Sequence, residues 1–126
     1  MLMNFETQKS VQEVRTALEE KAKAKGFGVM AVHEVSNILK NKGVPIDYEC
    51  VIVEVCSPRH ASQVLSKNAF ISTAMPCRIA IFQKDGKTVV STMAPTAMLE
   101  MFQEPQLKDV AEEVEKLMKE IIQESL

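Results

Sequence analysis

Arg78-Ile79-Ala80-Ile81-Phe82-Gln83-Lys84-Asp85-Gly86-Lys87-Thr88-Val89-Val90-Ser91-Thr92-Met93 reads as two strands joined by a two-residue turn. Asp85-Gly86 supplies residue types that accept positive φ at both central positions, as a tight right-twisted hairpin requires. Such a turn pairs Lys84 with Lys87, and hence Phe82 with Val89, Ala80 with Ser91 and Arg78 with Met93. Ile79, Ile81, Val90 and Thr92, together with Cys77, then share the other face.

Upstream, Glu49 to Cys56 contains the apolar run Val51-Ile52-Val53-Glu54-Val55 and reads as a buried strand. Val51, Val53 and Val55 fall on one face; Cys50, Ile52, Glu54 and Cys56 fall on the other. Helices are expected over the valine and isoleucine faces. The opposite face then shows Glu54, Cys56, Arg78, Ser91 and Met93, a half-polar surface suited to a cleft or a partner.

The remaining elements follow from local signals. Asn4-Phe5-Glu6 is a short first strand. Ser10-Val11-Gln12-Glu13 is a capping box that opens a helix to about Lys25, with Val11, Val14, Leu18 and Ala22 as its apolar stripe. Gly26 ends that helix, and a strand runs from Gly28 to Val35. A short helix from about Ser36 to Lys42 stops at Gly43. Ser57 as N-cap and Pro58 as first helical residue start another helix, to about Lys67, with Ala61, Val64 and Leu65 inward. Pro95 opens a helical segment to about Phe102. The last helix reaches about Glu124 and carries Val110, Val114, Leu117, Met118, Ile121 and Ile122 at helical spacing. The sum is one α+β domain over residues 1–126.

Composition narrows the function. A formal charge of -2, one Tyr and no Trp give neither the basic face nor the stacking surface that nucleic acid requires. No apolar window is long enough to span a bilayer, and the first residues lack a signal-peptide pattern, so a cytoplasmic location is expected. In that compartment Cys50, Cys56 and Cys77 are thiols rather than structural disulfides. No Cys-x-x-Cys occurs, which speaks against a structural zinc site and against thioredoxin-like chemistry.

Cys56 holds the strongest functional position. It sits where a strand hands over to a helix N-terminus, whose partial positive charge favours thiolate. His60, a turn away, is placed to orient or deprotonate that thiol. The competing reading makes Cys56 a small buried residue at a tight junction. Cys77 is the second thiol, although strand parity puts it on the face opposite Cys56. Arg78 is expected to help hold an anion, and Cys77, Glu54, Ser57 and Met93 to line the ligand site with it. Met75, Met93, Met98 and Met101, with His33, His60 and the cysteines, are donor types for Cu(I) or a haem pocket; Met at helical spacing equally reads as adaptable packing. Glu112, Glu113 and Glu115 read as a solvated helix face.

Cys56-Ser57-Pro58-x-x-Ala61, Met75-Pro76-Cys77-Arg78-Ile79-Ala80-Ile81 and Asp85-Gly86-Lys87-Thr88-Val89-Val90-Ser91-Thr92-Met93-x-Pro95 together resemble a small prokaryotic family, the domain of unknown function number 302. Lys25-Gly26-Phe27-Gly28-Val29 and the lysine-rich helix before Gly43-Val44 fit as well, so the resemblance runs from about Ser10 to the C-terminus. It implies an antiparallel sheet with helices on one face, like a half-repeat of the TATA-binding protein, assembled as a homodimer. It implies no activity. Cys56 and Cys77 match the family's recurring cysteines, whereas Cys50 and His33 have no counterpart, and Val32 stands where relatives often carry an acidic residue.

Three functions remain open. One is a thiol-based small-ligand or sulfur-handling protein built on Cys56 and His60, with no cofactor. Another is a homodimeric binding or assembly module whose cysteines are structural. The last is a soft-metal or haem binder. Whether the protein is an enzyme stays undecided at this level.

Overall fold

The computed structural model describes residues 1–126. Five strands, β1 (Leu2–Thr7), β2 (Gly28–His33), β3 (Cys50–Cys56), β4 (Cys77–Lys84) and β5 (Lys87–Met93), form one sheet in the order β1-β5-β4-β3-β2. All four pairings are antiparallel. Five helices accompany them: α1 (Val11–Ala24), α2 (Val35–Asn41), α3 (Pro58–Lys67), α4 (Pro95–Glu100) and α5 (Lys108–Ser125). Helices pack on one face of the sheet, giving the expected α+β layering.

The register follows the hairpin. Lys84 faces Lys87, Phe82 faces Val89 and Ala80 faces Ser91. Asp85 and Gly86 have φ of 53° and 77°, the doubly left-handed turn that a two-residue hairpin demands. On β3, Val51, Val53 and Val55 are fully buried while Ile52, Glu54 and Cys56 alternate outward. Ile79, Ile81 and Val90 complete the buried strip, and Val11, Val14, Leu18 and Ala22 of α1 meet it from above. Each such side chain contributes about 1.5–3 kcal/mol relative to an exposed one. Thr92 also lies on this face, and its buried hydroxyl donates to the Arg78 carbonyl at 2.7 Å.

Caps and ends match in part. Ser10 Oγ accepts from the Glu13 amide and Glu13 returns a bond to the Ser10 amide, the full capping box. β2 stops at His33, short of the expected Val35, because Val35 already begins α2. A bulge between Val29 and Ala31 shifts the β2 register. The stretch Ala69–Ala74, with no periodicity to announce it, is a 3-10 turn that buries Ile71. On α3 the inward assignment needs correction. His60 is the buried residue, Ala61 and Val64 are half-buried, and Leu65 is exposed. The helix turns its first-turn histidine inward because that side chain finds polar partners there.

The hairpin supplies a direct test. A Cβ on Gly86 meets no atom, so Gly86→Ala carries only the backbone cost of a left-handed residue. Urea denaturation is expected to show a loss of about 1–2 kcal/mol for it. Gly28→Ala, whose Cβ would sit 3.8 Å from the Cys56 carbonyl oxygen at ordinary φ, is expected to change stability by less than about 0.5 kcal/mol.

Candidate functional site

β3 ends at Cys56 and β4 begins at Cys77, so both cysteines lie at the same end of the sheet, where Val55 pairs with Cys77. The chain leaves that end through α3 on one side and arrives through the 3-10 turn and Met75-Pro76 on the other. α4 and α5 close the space above. Between them lies an apolar cavity of about 90 Å³. Of its 19 lining residues 16 are hydrophobic, so its walls offer contact area rather than a hydrogen-bonding lattice. Phe27, Val64, Ile71, Met98, Leu99 and Phe102 form the walls, and Cys56, Ser57, His60 and Cys77 border it as well.

The expected site therefore divides. Cys56 and Cys77, separated by simple strand parity, border one cavity, because Cys56 is the last strand residue before the chain turns into α3. Glu54, Arg78 and Met93, expected beside Cys56, do not line it. They belong to the open sheet face. There Arg78 Nε donates to Glu54 Oε2 at 3.0 Å, and His33 Nε2 lies 3.2 Å from Glu54 Oε1. The His33 hydrogen bond, and after it Arg78, holds the Glu54 carboxyl below its ordinary value. Arg78 is thus already paired with a carboxylate.

His60 does not serve Cys56. Its Nδ1 is 2.6 Å from Ser57 Oγ and its Nε2 is 3.2 Å from Glu113 Oε2. Ser57 occupies the N-cap position of α3, but its hydroxyl makes no capping bond and goes to the imidazole instead. Glu113, read from sequence as part of a solvated face, reaches down from α5 and also accepts from Arg59 at 3.3 Å. Hydrogen bonding to His60, followed by Arg59, lowers the Glu113 pKa. No sequence spacing links positions 57 and 113; only the packing of α3 on α5 joins them.

Nor are the cysteines tuned toward thiolate. Burial pushes Cys77 up to about 11, with a smaller push from the neighbouring Cys56. Burial also raises Cys56 and Cys50. The soft-donor set is dispersed too: Met75 and Met98 line the cavity, whereas Met93 and Met101 are exposed. No three His, Cys, Asp or Glu side chains converge as a metal-holding group.

The class these features define is an α+β domain with one antiparallel sheet, helices on one face and an apolar cavity at the sheet end. The chain belongs to the family described as Domain of unknown function DUF302, whose model matches residues 3–125. A crystal structure of an uncharacterized conserved protein of that family from Bacillus stearothermophilus is similar to it with a TM-score of 0.94. The two are 30% identical over 99% of this chain and 98% of that one. No curated protein matches the chain. No helix is long and apolar enough to cross a membrane.

Native-state alkylation mapped by peptide mass tests the thiol assignment. Only thiolate alkylates, and a raised pKa leaves less of it at any given pH. Cys77 is expected to stay unmodified at mildly alkaline pH, and Cys56 to react with a midpoint above the roughly 8.5 of a free thiol. A Cys56 midpoint below that value would return the activated-thiol reading to first place.

Proposed function

We propose that the protein binds a small, predominantly apolar ligand in the cavity between the sheet end and α3, α4 and α5. The observation that carries this reading is the wall composition: a preformed space lined almost wholly by aliphatic, aromatic and thioether groups. Its size, about 90 Å³, favours a compact molecule or the end of a longer one. Met75 and Met98 are flexible enough to adjust to the occupant. Phe70 and Met101, next in sequence to the lining residues Ile71 and Phe102, are large apolar side chains 78% and 75% exposed. Cys56 and Cys77 enter this reading as neutral, polarizable contacts.

Benzene is a suitable probe, detected by ligand-observed NMR. The native protein is expected to bind it, and Ala111→Leu, which adds volume to a lining position, to weaken binding roughly tenfold with circular dichroism unchanged. Absence of binding to the folded native protein refutes the reading.

A sulfur-handling role is the second reading, favoured by the presence of both thiols at one cavity. Cys56 then takes the sulfur atom and Cys77 stands beside it. Cys56→Ser is expected to abolish labelling by a persulfide donor while leaving benzene binding in place.

We further propose that a second copy of the chain covers the open sheet face. Leu2 and Met93, paired across β1 and β5, are both exposed there. Light scattering is expected to give about twice the 14.1 kDa of one chain, reduced to the single-chain mass by Met93→Glu. A native protein of single-chain mass rules the dimer out.

A further inference from the structure

A hydroxyl and a buried imidazole at the border of the cavity stand in line with a carboxylate beyond it. Ser57 Oγ is 2.6 Å from His60 Nδ1, and His60 Nε2 is 3.2 Å from Glu113 Oε2. His60 is only 3% exposed, so its tautomer is set by these partners rather than by water. A carboxylate accepts but does not donate, which places the proton on Nε2. The Arg59 guanidinium, 3.5 Å from Nε2, offers only donors and is satisfied by Glu113 Oε1, so it leaves that assignment unchanged. Nδ1 then accepts the Ser57 hydroxyl proton. This is the role order of a nucleophile, a base and an orienting acid.

We infer that Ser57, His60 and Glu113 form a hydrolytic site for esters of short apolar acyl groups, with the acyl group in the adjoining cavity. Ser57 and His60 are lining residues of that cavity, so a carbonyl carbon at its border lies next to the hydroxyl. The first-turn amides of Arg59 and His60 have no intrahelical partner, and the Ser57 hydroxyl caps none of them. They are available as donors to a carbonyl oxygen that gains charge.

The step balances with water as the only co-reactant. Ser57 Oγ bonds to the ester carbonyl carbon as its proton passes to His60 Nδ1. Glu113 stabilises the resulting imidazolium through Nε2–H. The carbon–oxygen bond to the alcohol breaks, and the Nδ1 proton leaves with that alcohol. Water then gives a proton to Nδ1 and its oxygen to the acyl carbon. The bond to Ser57 breaks, the proton returns to Oγ, and the carboxylic acid is released. Ser57 and His60 are the catalytic residues, and Glu113 is a positioning residue.

This inference shares the cavity with the binding proposal but goes beyond it, since a cavity can bind benzene without any reactive hydroxyl. The test uses the native chain with p-nitrophenyl acetate and butyrate, and with a fluorophosphonate probe mapped by peptide mass. Hydrolysis and a covalent adduct on Ser57 are expected. Ser57→Ala should abolish both, and His60→Gln should lower kcat by about 10²–10⁴-fold. Glu113→Gln should lower kcat with KM unchanged, and Glu113→Asp should recover part of the loss. Folding of each variant is checked by circular dichroism; a mere tie between α3 and α5 would make Glu113→Gln lower stability without changing kcat. If native protein that binds benzene neither hydrolyses the esters nor acquires a Ser57 adduct, the hydrolytic site is refuted and the binding proposal stands. Adduct formation without benzene binding overturns the cavity reading alone.

Discussion

The pairing of β3 with β4 sets Val51 against Ile81 and Val53 against Ile79, and the helices take their places from the apolar strip this creates. Because successive strand residues point to opposite faces, one choice of parity buries all the valines together. α1 supplies a complementary stripe, and α5 adds Met118, Ile121 and Ile122. Toward the end of the sheet the strip runs out. There α3, α4 and the 3-10 turn meet around the sheet end, and the packing leaves a cavity instead of a filled core.

The same limit separates the features that are legible in the sequence from those that are not. The hairpin, the β3 alternation, the capping box at Ser10 and the α3 start at Pro58 are local, so they were legible residue by residue. The inner face of α3 was not. A scale that counts apolar residues nominates Leu65, whereas the helix buries His60 because Ser57 and Glu113 satisfy both ring nitrogens. Glu113 lies 53 positions beyond His60 and is one of several glutamates on α5, so nothing in its own neighbourhood marks it. Parity likewise described Cys56 and Cys77 correctly as strand residues and failed where the strand stops being a strand.

The competition at the α3 start is equally physical. A serine at an N-cap ordinarily satisfies a backbone amide. Here the hydroxyl is claimed by an imidazole three residues on, which leaves first-turn amides free, and that imidazole joins Arg59 in tying α3 to Glu113 of α5. That same claim removes the histidine from Cys56, and desolvation then decides the protonation of the thiols.

The cluster of His33, Glu54 and Arg78 acts on the other face in a different way. Burial of alternate residues distinguishes a strand from the same strand slipped by one position, but not from one slipped by two, since the valines and isoleucines would still point inward. Glu54 is the one acidic residue of β3, and it is met by Arg78 from β4 and His33 from β2. A slip of two positions between β3 and β4 would part it from Arg78 and set it opposite an uncharged residue, Ala80 in one direction. The solvent face thus carries the alignment information that the repetitive core lacks, and three strands are keyed together by one carboxylate.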